Sequence, residues 1–203
     1  MKALIARKIG MISTIDSEGV VRAVTLLVAE PNTITQIKNV GRDGYMAVQL
    51  GTGNAKLGKA QAGHYKPSKA EPRAAREFRI DEITEDLSLG GQLNVDTFEV
   101  GDQVHVTATS KGKGWAGTIK RHNFHRGRKT HGGKGNTRQP GSIGSMYPQK
   151  IFKGKKMAGQ TGHTQVSVRN LKVALIDTEQ NVIGVTGAVP GPRKGLVLVK
   201  GAK

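Results

Sequence analysis

The span from Lys111 to His163 holds residue types that do chemistry elsewhere, at spacings that suggest several kinds of it. Gly112, Gly114 and Gly117 spell G-x-G-x-x-G after a stretch that reads as a strand, the form of a turn that lets a backbone close on a dinucleotide. That fingerprint also needs a helix next and an acid about 20 residues on. Thr118-Ile119-Lys120 is a poor helix start, and the next acid is Asp177. His122, His125, His131 and His163 could ligate a metal or exchange protons, but no Cys, Asp or Glu in the span completes or orients such a set. Pro140-Gly141-Ser142-Ile143-Gly144 has the serine of a nucleophile elbow with proline in place of its first glycine. Gly133-Lys134 lacks the spacing and hydroxyl of a phosphate-binding P-loop. No catalytic, metal or cofactor constellation is therefore expected, and no small-molecule substrate.

What recurs instead is a mixture of cations, glycines and isolated flat or apolar side chains. Lys111 to Gln160 carries 11 glycines and 13 basic residues in 50 positions, with neither helical nor alternating periodicity. Lysine and arginine neutralise phosphates, and arginine also forks onto phosphate oxygens or stacks on bases. The expected contacts begin with Lys111, Lys113, Lys120, Arg121 and His122. They continue through Arg126, Arg128, Lys129, Lys134 and Arg138, and return along Lys150, Lys153, Lys155 and Lys156. Trp115, with Phe124, His125, Tyr147 and Phe152, is spread to stack on splayed bases or fill RNA crevices. Glycine and lysine alone would describe a disordered basic loop. The interspersed aromatic and aliphatic residues favour a segment that orders on RNA.

Charge is sorted along the chain in the same sense. The net charge is +17, so the folded chain repels itself and attracts polyanions. Residues 80–110 hold seven acids and no Lys or Arg, whereas residues 103–176 hold 15 Lys and Arg and no acid. The acidic block from Asp81 to Asp102 is expected to face solvent or a basic protein. With 0 cysteines, disulfides and thiolate chemistry are excluded, which suits a reducing cytoplasm. The apolar run Ala3–Ala6, bounded by Lys2 and Arg7, is too short for a signal-peptide core, and no stretch suits a membrane helix.

The elements that must hold such a loop read mostly as strands. Ala3–Ala6, Ile9–Ile15, Val20–Glu30, Thr33–Val40, Tyr45–Leu50 and Gln103–Thr109 are rich in Val, Ile and Thr and are divided by turns such as Ser17-Glu18-Gly19. Gln165–Asp177, Asn181–Ala188 and Leu196–Lys200 resume the pattern, so a mainly β barrel is expected, closed from both ends of the chain. Ala55–Arg79 reads as a small helical insert with Lys69, Arg73 and Arg76 on one face. The expected organisation is residues 1–110 as the first part of the body with that insert, 111–160 as an irregular basic extension, and 161–203 as the strands completing the barrel.

The motifs IARKIGM, AGHYKP, FEVGDQVHVTATSKGKGWAGTIKRHNF, PGSIG, YPQKIFKGKKMAGQTGH and GAVPGPRKGLVLVK run in order through essentially the whole chain. In them the sequence resembles the universal large-subunit ribosomal protein three family, the L-three family, in its bacterial form. The resemblance implies a translation-factor-like β-barrel with a long extension threaded into large-subunit ribosomal RNA toward the peptidyl-transferase centre. It also implies binding early in assembly, near the 3' end of that RNA, with other large-subunit proteins as neighbours. Lys111 to Gly114 and Lys120 to His122 match the motif that opens the family's loop, Gly141 to Gly144 its distal part, and Phe152 to Met157 its returning arm. The sequence departs from the family pattern with His105, Ala108 and Trp115, and Ser145–Pro148 is one residue shorter than in many relatives.

The reading is thus a non-catalytic, cytoplasmic ribosomal scaffold protein. An RNA-modifying enzyme would predict turnover and lacks acids to carry it. An extra-ribosomal RNA chaperone or regulator is the alternative, and would bind many RNAs with little preference.

Overall fold

The computed structural model describes residues 1–16, 19–82 and 87–202. In chain order its elements are β1 (Ala3–Ile15), β2 (Val21–Val28), β3 (Asn32–Lys38), α1 (Val40–Asp43), β4 (Ala47–Asn54), α2 (Lys59–Tyr65), β5 (Pro72–Arg79), β6 (Gln92–Leu93), β7 (Gln103–Thr109) and β8 (Trp115–Ala116). They continue with α3 (Thr118–His122), β9 (Gly159–Gln160), β10 (Gln165–Asp177), β11 (Val182–Thr186) and β12 (Leu196–Gly201). Short 3-10 turns lie at Lys66–Ser68, Val95–Thr97 and Lys134–Asn136. The protein is mainly β, as expected, and among the described residues no helix is long and apolar enough to cross a membrane. The chain divides into two units, one of Met1–Thr109 with Gln165–Lys203, the other of Ser110–Thr164.

In the first unit six antiparallel strands pair round a closed ring, β1-β12-β7-β10-β11-β2. The ring is uneven because β1 and β10 each run for 13 residues and serve two neighbours in turn. β1 pairs with β12 over Ala3–Arg7 and with β2 over Arg7–Ile15, shifting register between Lys8 and Gly10. β10 pairs with β7 as far as Lys172 and with β11 from Val173 onward, with shifts at Val168/Leu171 and Val173/Leu175. Such shifts insert extra residues that bend a strand, which lets one long strand turn from one neighbour to the next.

Alternation decides which faces point inward. In β7, Val104, Val106 and Ala108 are buried, and in β12 so are Val197 and Val199. They join Leu4, Leu27, Phe98, Ile183 and Val185 in the barrel core. A one-residue slip in either strand would carry that whole set to solvent. At Gly184 of β11 a Cβ would stand 2.6 Å from Leu175 and 2.9 Å from Val24, so close packing demands glycine there.

A second sheet, ordered β5-β4-β3-β6, packs a second core from Ile34, Val48, Leu50 and Phe78 against Ala3 and Ile5 of β1. Because Leu4 and Ala6 belong to the barrel core, Ala3–Ala6 is buried on both faces. Asn32 stitches the join: its Oδ1 accepts from the Ile5 N–H at 3.0 Å, and its Nδ2 donates to the carbonyls of Ile5 and Glu30 at 3.2 and 2.8 Å.

The expected helix over 55–79 is corrected. Only Lys59–Tyr65 is α-helical, a 3-10 turn follows, and Pro72–Arg79 forms edge strand β5, which pairs with β4 from Pro72 to Arg79. α2 buries no residue, so nothing extends it, whereas β5 gains the burial of Phe78. Pro72 opens β5, a place where the missing N–H costs no ladder bond. Arg73 and Arg76, three apart on a strand, therefore lie on opposite faces and do not share one with Lys69.

Of the acidic block, Asp81, Glu82, Asp96 and Glu99 are exposed, and Asp102 pairs with Lys2 at 2.6 Å. Glu85 and Asp86 lie outside the described residues, as do Ser17 and Glu18 of the first predicted turn.

Candidate nucleic-acid interface

The second unit starts from a narrow ribbon of two chain segments. The Ser110 N–H donates to the Thr164 carbonyl at 2.9 Å, Lys113 N–H to Thr161 at 2.8 Å, and Thr161 N–H to Gly114 at 2.9 Å. Beyond these, Trp115 pairs with Gln160 and Ala116 with Gly159. Gly162 makes the approach possible: it sits at φ +72°, and a Cβ there would collide with the Lys111 carbonyl. The ribbon sets Lys111, Lys113 and Trp115 in sequence, all exposed, Trp115 to 77%.

After the ribbon comes α3, so a helix does begin at Thr118, contrary to expectation. It has five residues, stopped by Asn123 in the left-handed conformation with its N–H donating to the Ile119 carbonyl. The strand before it has two residues and pairs antiparallel, so no dinucleotide-binding unit results. Lys120, Arg121 and His122 occupy its last turn, where cations suit the exposed carbonyls. Arg121 Nη1 donates to the Met157 carbonyl at 2.8 Å, and His122 Nε2 lies 3.1 Å from the same oxygen. A Cβ at Gly159 would stand 2.8 Å from Arg121 Nη1, so that glycine makes room for the contact. Two of the expected residues, Arg121 and His122, thus meet on the returning arm.

The rest are spread out. Arg126, Arg128, Lys129, Lys134 and Arg138 are exposed, on turns held by backbone bonds such as Gly127 N–H to Thr137 at 2.9 Å. Lys150, Lys153, Lys155 and Lys156 are exposed on the arm back, which turns through Gly154 at φ +81° with the Lys155 N–H donating to Phe152 at 3.3 Å. Glycine in that turn position allows the positive φ that side chains resist.

The unit has almost no interior of its own. Ala116, Thr118 and Gly159 are its only buried residues, while Met146 is 92% and Tyr147 84% exposed. Phe152, Ile143 and Ile151 are exposed as well. Ile143, Met146 and Ile151 were not among the expected contacts. Their signal in the sequence was an apolar residue standing alone in an aperiodic stretch. Among the described residues, no three of His, Cys, Asp and Glu gather as a metal site would need. Chemically, the arrangement offers cations, exposed backbone donors and flat or apolar side chains, the requirements of folded RNA.

The comparisons agree with that chemistry. The sequence model described as ribosomal protein L3 matches residues 79–182. The chain is 45% identical to the large ribosomal subunit protein uL3 of Heliobacterium modesticaldum, over 98% of this chain and 96% of the relative. It is 46% identical to the protein of that name from Marinobacter nauticus, over 98% and 97%. The same identity holds for that of Syntrophus aciditrophicus, over 98% and 93%. With the match spanning both units almost end to end, the chain belongs to the ribosomal protein L3 family.

Proposed function

We propose that the chain is a structural constituent of the large ribosomal subunit that binds large-subunit ribosomal RNA directly through its second unit, early in assembly. It works in the cytoplasm without catalysis, beside other large-subunit proteins. The observation that carries this reading is a unit of 55 residues, Ser110–Thr164, with no acid, a negligible core and uncovered Trp115, Tyr147 and Phe152. Side chains left uncovered at this density need an external surface, and the cations beside them select a phosphate-bearing one.

In this reading Lys111, Lys113, Lys120, Arg126, Arg128, Lys129, Lys134, Arg138, Lys150, Lys153, Lys155 and Lys156 neutralise phosphates. By displacing counterions, they pin RNA helices that would otherwise repel one another. Trp115 stacks on an unpaired base, while Arg121 and His122 hold the two arms together and keep free donors for phosphate. The distal part of the unit reaches toward the peptidyl-transferase centre, and residues 1–110 and 161–203 anchor it.

The test measures salt-dependent binding of the intact chain, and of a chain lacking Lys111–Gln160, to large-subunit ribosomal RNA and to an unrelated RNA of equal length. The intact chain should prefer ribosomal RNA with a steep salt slope, and the deletion should lose both. If both chains bind both RNAs alike, the second unit is a generic polycation and the proposal fails.

A further inference from the structure

α2 gains little from the first unit that carries it. None of its seven residues is buried, and Tyr65 alone is half-buried. Isolated helices shorter than about 12 residues are marginal in water, so this one has little of its own to hold it. Two positions also run against the stability of the free chain. Gly63 stands in the helix although a Cβ there would meet nothing within 4 Å, so no packing within the chain asks for glycine, which weakens a helix interior relative to alanine. Lys69, closing the 3-10 turn that follows, holds φ +53°, the left-handed region that glycine adopts with less strain. Backbone arranged against local stability points to a contact outside the chain.

The charge of this segment is uniform. Residues 44–70 hold four lysines, one histidine and no acid. Lys56, Lys59, His64, Lys66 and Lys69 are all exposed, and among the described residues none of these lysines has an ion-pair partner. Glu30 and Glu71 share a groove with Lys56 and Lys69, whereas α2 itself carries no acid. Lys59, Ala62, Gly63 and Lys66 recur at helical spacing, and Lys66 keeps helical dihedrals as the C-cap, so the four share one face. A solvated helix face usually mixes both signs, with acids and lysines three or four apart. Here two lysines flank a bare stretch of backbone instead.

The residue types choose the partner. Protein interfaces are enriched in aromatic residues and methionine and depleted in lysine and alanine. Between Val40 and Leu89 no described residue exposes a large apolar side chain. Phosphate asks for the opposite, point charges with little bulk between them. We infer that α2 is a second RNA contact, carried by the first unit, that grips the sugar-phosphate backbone of large-subunit ribosomal RNA. Lys59 and Lys66 each neutralise a phosphate, and Gly63 lets the RNA strand lie close to the helix between them. Phosphate contacts position without reading sequence, so α2 orients the first unit while base recognition stays with the second.

This inference rests on the ribosomal reading, and the experiment separates the two. Salt-dependent binding to large-subunit ribosomal RNA is measured for the native full chain and for Lys59→Gln/Lys66→Gln, with a thermal melt of each. A further full chain carrying Ala62→p-benzoylphenylalanine, on the lysine face, is assembled into large subunits and irradiated. The double variant should melt as the native chain does while its logarithmic salt slope falls by about two, one for each phosphate contact removed. The crosslink should fall on RNA. An unchanged slope, a slope lost only together with the fold, no crosslink, or a crosslink to a polypeptide overturns the inference and leaves the ribosomal reading standing. Failure of the native chain to enter subunits at all overturns both.

Discussion

Arg121 shows how little side-chain capacity the second unit spends on itself. One guanidinium N–H goes to the Met157 carbonyl, 2.8 Å away, and the remaining donors of an exposed side chain stay open to phosphate. Trp115 spends less still, being 77% exposed within a ribbon that needs only its backbone. Trp115→Ala should therefore leave the fold unchanged while weakening ribosomal RNA binding by about 1–3 kcal/mol, the worth of one stacked base. Glu82→Ala, an exposed acid in the first unit, should leave affinity the same or slightly raised; filter binding of both variants checks this. Equal losses would remove the special role given to the second unit. A histidine of the first unit also has its structural role at this scale. His105 Nδ1 accepts the N–H of Asn170, at φ +58° within the β10 irregularity, at 3.3 Å.

Among elements, β1 joins the ring to the second sheet. Asn32 holds the middle of these joins through both backbone groups of Ile5, with no exposed surface. Asn32→Leu would leave those groups buried without partners, and should cost on the order of 2 kcal/mol, read as a lower urea midpoint with an unchanged slope. On the second sheet, Lys38 donates to Glu77 and to the Tyr45 hydroxyl, each at 2.8 Å, and Glu77 accepts from Tyr45 at 2.9 Å. The Lys38 hydrogen bond holds the Glu77 carboxyl below its usual value of 4.5, and the same bond raises Lys38 above 10.5. A depressed carboxyl contributes stability above its unfolded pKa and loses it as pH falls through the folded one; a raised lysine contributes below its unfolded pKa and loses it as pH rises past the folded one. Thermal melts should therefore drop below pH 4.5 and above pH 10.5, and Lys38→Met should shrink both drops. If the variant keeps the full acid and alkaline losses, this cluster does not set them.

For the whole molecule, a net charge of +17 opposes folding and favours binding, so salt should act in opposite directions on the two. Raising salt from about 50 to 500 mM shortens the Debye length from roughly 14 to 4 Å. It should raise the melting temperature of the free chain while lowering its affinity for ribosomal RNA, by calorimetry and filter binding on the same preparation. Parallel responses would mean that the charge is balanced within the fold. The division into two units makes the opposition possible: cores lie in the first, and most of the acid-free cations in the second.

The amino-acid sequence by itself determined the β class, because alternation in stretches such as Gln103–Thr109 and Val/Ile runs such as Asn181–Ala188 are local signals that burial then obeys. It determined the family through motifs long enough to be specific, and marked the cations by type and spacing. Only the tertiary structure decided that Pro72–Arg79 is a strand, since its pairing with β4 and the seat for Phe78 beside Ala3, Ile5, Ile34, Val48 and Leu50 come from other segments of the chain. Only it showed that β1 changes partner at Arg7, and that Gly159 and Gly162 serve Arg121 and Lys111. The reason is common to these cases. Propensity and charge are properties of neighbours in sequence, whereas an edge, a close approach and a burial competition belong to segments that meet only when the chain has folded.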